Sequence, residues 1–248
     1  MIVLLDKSYL EQIIKGGKMS NSLLAIFTIL SLTFLLSIIS GFLNLLERVK
    51  KGVEGISHNS YLFWFFGILA AGILGGKHFR FSQPMASIEI GMTEVVIIIG
   101  AIGIFAMHSE YAVHKSVKPF IVFTLIFPIG EEILFRGIIQ SLILDHFHWG
   151  IENLVIPGFG NVPLAVVISA ACFGITHLQY NDFCINKKTI KQVLFASIFG
   201  MFAGKIVIRT ESIFFPMLLH SFANLSVEFY GLTRKKKQSI LVVDELQD

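Results

Sequence analysis

Long apolar runs separated by short polar segments dominate this chain. A helix that crosses a bilayer needs about 20 mostly apolar residues, and seven stretches meet this requirement or come close to it. We therefore predict an all-α, polytopic bundle of about seven to eight membrane-spanning helices. The stretches are Ser20 to Leu46, Tyr61 to Gly76, Ser87 to His108, Pro119 to Leu144, Val162 to Gln179, Ile190 to Ile208 and Ile213 to Tyr230.

The fourth stretch is interrupted by Pro128 and Gly130, immediately before two glutamates. Proline has no backbone N–H and bends a helix, so it leaves carbonyls without their usual partners. The sequence predicts a kink here, with freed carbonyls and extra space beside the carboxylates. Since proline and glycine are frequent in membrane helices, the kink alone does not indicate a function.

The chain has no evident internal repeat, low-complexity tract or linker, which favours one membrane-embedded domain over residues 1–248. Within it we expect an interfacial segment (1–19), a motif-bearing core (119–230) and a cytoplasmic tail (231–248). Lys and Arg accumulate in the cytoplasmic connections of membrane proteins. If all seven stretches cross the bilayer, the Lys and Arg clusters fall on the same side as the C-terminus, whereas the connection 145–161 on the other side has neither residue. The C-terminus is therefore predicted to be cytoplasmic. Lys77 and Arg80 fall on the opposite side, which an eighth pass or a helix that does not cross would reconcile.

The composition supports a membrane protein. Of 248 residues, 54% are hydrophobic and 15% are charged, against about a quarter charged in soluble domains, and the mean hydropathy is +0.74. The net charge of +3 comes without a basic stripe, so nucleic-acid binding has no support. Two cysteines are too few for a disulfide framework. The first apolar run is too long for a cleavable signal peptide, which favours an integral membrane protein, in the cell membrane if the host is bacterial.

Polar residues suited to hydrolytic chemistry lie within three of the apolar stretches. Charged groups at bilayer depth are costly, so each needs a partner or a function. Residues four apart share one face of a helix, so each pattern can direct its polar members toward a common point. The patterns are Glu131-Glu132-x-x-x-Arg136, Phe173-x-x-x-His177 and His220-x-x-x-Asn224.

Taken separately, these residues also have structural interpretations. Glu132 and Arg136 are spaced for an intrahelical ion pair, whereas Glu131 has no basic residue four positions away and is the better candidate for a general base. His220 and Asn224 suit either hydrogen bonds between helices or donation to an oxyanion.

The remaining polar pattern gives no further site. We predict that His78 and His114 lie in polar connections and that His146 and His148 flank Phe147 in an outer loop. None of these histidines has a carboxylate at a spacing that suggests a site. The motifs of soluble zinc proteases and serine hydrolases do not occur in the sequence.

The three patterns, in this order and each on its own apolar stretch, resemble the CAAX prenyl protease and bacteriocin-processing (CPBP, or Abi) family of intramembrane proteases. The resemblance covers about Pro119 to Leu225. It implies that Glu131 and His177 activate a water, that His220 and Asn224 stabilise the oxyanion, and that Glu132 and Arg136 order the site. Family members are described as glutamate-dependent or as metalloproteases. A Zn²⁺ cofactor, if one binds, would use Glu131, His177 and His220.

The resemblance implies an intramembrane endopeptidase that cleaves a membrane-associated, prenylated or leader peptide, with a peptide or protein substrate and the lipid bilayer as its partners. One alternative is a non-enzymatic membrane immunity or scaffold protein, as in bacteriocin self-immunity, in which the same residues hold the bundle together. Another is a proton-coupled transporter with Glu131 in a relay.

Overall fold

The structure is a computed structural model that describes residues 18–50, 55–84, 92–108, 114 and 116–245. Most of these residues are helical, as predicted. The expected interfacial segment 1–19 lies almost entirely outside the described residues. The regular helices are α1 (Lys18–Thr33), α2 (Leu35–Val49), α3 (Ser60–Gly75), α4 (Met92–His108), α5 (117–146, in segments), α6 (Leu164–Thr176), α7 (Lys187–Thr210) and α8 (Phe214–Glu245).

The helix expected from Ser20 to Leu46 is bent by 71° between α1 and α2. The Thr28 and Thr33 hydroxyls donate to carbonyls one turn earlier, a contact that bends helices. The break leaves backbone groups for distant side chains: Thr176 Oγ1 donates to the Thr33 carbonyl at 2.8 Å, and Ser37 N–H donates to Gln179 Oε1 at 3.1 Å. The bend is therefore tied to the last residue of α6 and to the turn that follows it.

Helix α5 alternates between α and π geometry. Its segments are Val117–Ile121 (α), Val122–Ile126 (π), Phe127–Glu132 (α), Ile133–Ile139 (π) and Gln140–His146 (α). A π turn contains an extra residue and is frequent at functional sites. The first π segment ends two residues before Pro128, where the sequence predicts a kink, and both glutamates of the first motif lie between the two π segments.

A β-hairpin follows α5, in the segment that separates two of the predicted apolar stretches. Strands β1 (Asn153–Ile156) and β2 (Gly160–Pro163) pair antiparallel. Gly158 and Gly160 have φ of 81° and 68°, a backbone conformation that favours glycine, and they let the chain reverse between the strands. The fold is thus predominantly α-helical with one small hairpin in its described part.

Helices α6 and α7 pack through small residues. A Cβ on Gly174 would meet Ser197 and the Val193 carbonyl, and a Cβ on Gly200 would meet Ala170. Close approach through glycine and alanine is typical of membrane helices, because association there depends on van der Waals contact. Helix α8 packs against α4, α5 and α7, and it continues to Glu245 through most of the stretch expected to be a tail.

Three helices within the described residues are long and apolar enough to cross a membrane, and the bent pair α1–α2 could add a fourth. They are 56–79, which contains α3, 164–181, which contains α6, and α7. Residues 117–146 are divided into shorter segments, and α4 extends over residues outside the detailed description. The predicted number of seven to eight spans therefore stays a prediction.

Candidate active site

The two glutamates of the first motif lie inside the helix bundle. Glu131 is 3% exposed and Glu132 is fully buried. They are adjacent, so their side chains leave the helix about 100° apart and meet different partners. Gly130 is packed so closely against Trp64 that an added Cβ would lie 2.6 Å from the indole ring, which fixes the depth of this segment in the bundle.

Glu132 forms the ion pair that its spacing predicts. Arg136 Nη1 lies 3.2 Å from Glu132 Oε1, and both side chains are fully buried. The guanidinium carbon of Arg136 also lies 4.2 Å from the centre of the Phe173 ring, a cation–π contact with the first residue of the second motif. Glu132 and Arg136 thereby connect α5 to α6.

His220 lies between the two glutamates. Its Nδ1 is 2.8 Å from Glu132 Oε1, whereas its Nε2 is 3.7 Å from Glu131 Oε2. We assign the Nδ1 proton to the shorter contact, because a carboxylate can only accept. If His220 is protonated on both nitrogens, the group of Glu131, Glu132, Arg136 and His220 has no net charge, which lowers the cost of placing it in a membrane.

His177 directly follows α6, and its Nδ1 is 3.0 Å from the Phe173 carbonyl. Because a carbonyl only accepts, Nδ1 carries the proton and the neutral ring keeps its lone pair on Nε2. Its ring also makes edge contacts with Phe173 and Tyr180. These contacts fix the ring at the end of the helix.

Tyr180 is a site residue that the sequence patterns miss. Its hydroxyl donates to Glu131 Oε1 at 2.7 Å, and its ring packs edge-on against Phe127. It follows His177 by three residues, but α6 ends at Thr176 and a short 3₁₀ turn, Gln179–Asn181, brings it back toward α5. Residues three or four apart share a face only within a continuous helix, so the sequence offers no signal for this contact.

Asn224 donates from Nδ2 to the carbonyl of Phe123 at 2.8 Å. This contact joins α8 to the first π segment of α5. It places Asn224 one turn after His220 on the same side of α8.

The four predicted catalytic residues line one cavity of about 200 Å³. The charged groups of Glu132 and Arg136 lie behind it, away from the lining. Phenylalanine rings form most of the remaining wall, so the cavity combines a few polar groups with an apolar surface, as ligand sites commonly do. The lining residues are Phe105, Phe123, Phe127, Glu131, Phe173, His177, Tyr180, Phe195, Ala196, Phe199, His220, Ala223 and Asn224.

The suggested Zn²⁺ ligands Glu131, His177 and His220 are not arranged as a metal site. Over the described ranges, no group of three His, Cys, Asp or Glu side chains is placed to hold a metal ion. The Nδ1 atoms of His177 and His220 already bond to the Phe173 carbonyl and to Glu132. A metal would have to use their Nε2 atoms together with Glu131.

A second acid–imidazole pair lies outside the cavity lining, between His114 and Glu228. Glu228 is buried one turn after Asn224 and accepts from both the backbone N–H of His114, at 3.2 Å, and its ring Nδ1. The prediction that His114 lies in a polar connection misses this long-range contact. The i+4 position of Glu228 after Asn224 is the signal that could have indicated a third polar residue on this face.

One family model matches residues 113–226, and its description is type II CAAX prenyl endopeptidase, Rce1-like. The matched segment is a little under half of the chain and contains all three motifs together with Tyr180. The resemblance inferred from the motifs is therefore confirmed. No curated protein and no solved structure matched the chain.

Proposed function

We propose, from the match of residues 113–226 to the Rce1-like family model of type II CAAX prenyl endopeptidases, that the chain hydrolyses a peptide bond by a glutamate-activated water. The family supports a protease of the CAAX type, and the apolar helices support an integral membrane protein. The observation that carries the mechanism is the shared cavity of Glu131, His177, His220 and Asn224.

In this mechanism Glu131 is the general base. Its carboxylate takes a proton from a water while the water oxygen attacks the carbonyl carbon of the scissile bond. The Nε2 lone pair of His177 accepts a hydrogen bond from the same water and orients it. Tyr180 holds Glu131 Oε1, which leaves Oε2 for the proton.

The attack forms a tetrahedral intermediate with a negatively charged oxygen. Donors for it are an Nε2–H of doubly protonated His220 and an N–H of Asn224. Glu132 accepts from Nδ1 of His220 and holds the ring in place, while Arg136 balances the charge of Glu132. When the C–N bond breaks, the proton held by Glu131 passes to the leaving amine, which restores the carboxylate.

The substrate class follows from the cavity and the family together. Since most of the lining is apolar, the residues next to the scissile bond should carry apolar side chains or a lipid group. A peptide or protein held at the membrane, such as a prenylated C-terminus or a hydrophobic leader, fits this description.

The test compares purified wild type with Glu131→Gln on a panel of prenylated and leader-type peptides, with products identified by mass spectrometry. We expect cleavage by wild type and none by Glu131→Gln, with both proteins unfolding at similar temperatures. Glu152→Gln is the matched control, because Glu152 is exposed and lies away from the cavity lining; it should cleave like wild type.

Two outcomes would contradict the proposal. Equal cleavage by wild type and Glu131→Gln would remove Glu131 from the chemistry. Loss of cleavage in a chelator, with recovery on added Zn²⁺, would replace the metal-free mechanism by a metal-dependent one. A structural role would instead appear as a large drop in the unfolding temperature of Glu131→Gln.

A further inference from the structure

Helix α8 carries three polar side chains on one face, and each contacts α5 or the chain shortly before it. His220, Asn224 and Glu228 are four residues apart, a spacing that places side chains above one another on a helix. Their partners, in the same order, are Glu132, Phe123 and His114. Successive residues of α8 meet progressively earlier partners, so the two segments run in opposite directions and the three contacts fix one register between them.

Glu228 makes the third of these contacts, and it belongs to none of the three motifs. It lies two residues beyond the segment 113–226 that the family model matches. Glu228 is 2% exposed, and a buried carboxylate within an apolar stretch is costly unless it is paired. One of its oxygens accepts from the backbone N–H of His114 and the other from the ring Nδ1. The pair thereby joins α8 to the chain that leads into α5.

His114 connects this pair to the wall of the cavity. The centre of its ring lies 5.2 Å from the centre of the Phe123 ring. Phe123 lines the cavity, and its carbonyl accepts from Asn224 Nδ2. Phe123 is therefore contacted from two sides, by the imidazole that Glu228 holds and by the amide one turn before Glu228 on α8. A shift of the His114 ring would reach a residue that contacts both the cavity and Asn224.

We propose that Glu228 is a positioning residue of the active site. By holding His114 against Phe123, it keeps Phe123 in the cavity wall and keeps Asn224 in place beside it. Glu228 does not line the cavity itself, so it acts through these neighbours. This inference rests on the proposed function, because it takes Asn224 to act on the substrate, but the contact between Glu228 and His114 can be tested without any activity.

The first experiment is a double-mutant cycle on thermal unfolding, with His114→Ala, Glu228→Leu and the double variant. Glu228→Leu removes the acceptor of the His114 backbone N–H, and His114→Ala removes one donor to a buried carboxylate, so each change should lower the unfolding temperature. The double variant should lose less than the sum of the two single losses, because the second change removes a contact that the first has already broken. Additive losses would overturn the proposal.

The matched control is an acid–imidazole pair at the surface. His78 Nε2 lies 3.3 Å from Asp145 Oδ2, and the two side chains are 58% and 44% exposed. An exposed ion pair contributes little to stability. His78→Ala and Asp145→Leu should therefore show little coupling in the same measurement. Coupling as large as that between His114 and Glu228 would overturn a specific role for the buried pair.

The second experiment measures kcat and KM for Glu228→Leu, for Asn224→Leu and for the two changes combined. Glu228→Leu should lower kcat by about 10- to 100-fold with a smaller effect on KM, because a displacement of about 1 Å at the site can cost about 10²-fold. The combined variant should be no slower than Asn224→Leu, since Glu228 acts through Asn224. Wild-type kcat in Glu228→Leu, or effects that multiply, would overturn the proposal.

Glu228→Gln separates the positioning role from stability alone. The glutamine oxygen still accepts from the backbone N–H of His114, and its amide can donate to Nδ1 of the other imidazole tautomer. Glu228→Gln should therefore keep kcat close to wild type even where it lowers the unfolding temperature. A kcat as low as that of Glu228→Leu would overturn the proposal. If Glu228→Leu does not fold, His114→Ala replaces it, because the His114 side chain is 28% exposed, and it should lower kcat in the same way.

These readouts separate the two hypotheses. If the unfolding cycle shows coupling but wild type cleaves no peptide, the contact between Glu228 and His114 stands, and the positioning role fails together with the proposed function. If wild type cleaves and the variants of Glu228 and His114 keep its kcat, the protease stands and the positioning role is refuted.

Discussion

Gly174, inside the second motif, should tolerate no larger side chain. A Cβ at this position would lie 2.0 Å from Ser197 Oγ and 2.7 Å from the Val193 carbonyl, both on α7. The serine side chain can rotate away, whereas the carbonyl belongs to the backbone of a packed helix. Gly174→Ala must therefore push α6 and α7 apart.

The expected net effect combines two opposing contributions. Overpacking lowers the free energy of unfolding by about 1–3 kcal/mol. Replacing glycine by alanine within a helix raises it by about 0.5–1 kcal/mol. A net loss of about 1–2 kcal/mol would lower Tm by several degrees, at about 2–4 °C per kcal/mol for a chain of this size. Because α6 contains Phe173 and is followed directly by His177, cleavage should fall as well.

The matched control is Gly67→Ala, an exposed position within α3 where an added Cβ meets nothing within 4 Å. It should leave Tm unchanged or raise it, and thermal unfolding in detergent measures both variants. Ser197→Ala should partly restore Gly174→Ala, since it removes the closer of the two contacts. If Gly174→Ala is as stable as Gly67→Ala, the close packing of α6 on α7 is refuted.

Two further substitutions test the polar core. Tyr180→Phe keeps the ring contacts but removes the hydrogen bond to Glu131, so the cleavage rate should fall roughly tenfold, as expected for a hydrogen bond to a charged group. A rate equal to wild type, with Tm unchanged, would show that the hydroxyl does not position the base. Arg136→Met removes the ion-pair partner of Glu132, so that His220 is its one remaining contact in the group. The free energy of unfolding, measured by thermal unfolding, should fall by about 3–5 kcal/mol. A Tm within about 2 °C of wild type corresponds to a loss of less than about 1 kcal/mol in the free energy of unfolding, and it would contradict that reasoning.

The parts of the site that the sequence predicts are those set by local spacing. Glu132 and Arg136 are one helical turn apart, and so are His220 and Asn224, so each pair shares a face whatever the rest of the fold does. That all three patterns meet at one cavity follows from the resemblance and from the cost of polar groups in lipid, which together favour a common interior point.

The parts that sequence reasoning misses depend on contacts between distant segments. Tyr180 reaches Glu131 across 49 positions of the chain, and Glu228 meets His114 across 114. The bend at Phe34 uses Thr176 and Gln179, more than 140 residues away. None of these partners lies at a helical spacing, so hydrophobic periodicity carries no information about them.

The adjacent glutamates show how one helix can give two similar side chains different tasks. Glu132 Oε1 contacts both Arg136 and His220, and Glu132 does not line the cavity. Its charge therefore faces Arg136 and His220. Glu131 has Tyr180 on Oε1, while its other oxygen lies 3.7 Å from His220, beyond hydrogen-bonding distance, and the residue lines the cavity. The rotation of about 100° between neighbours therefore separates a structural charge, which holds His220 in place, from the carboxylate that remains available for a proton.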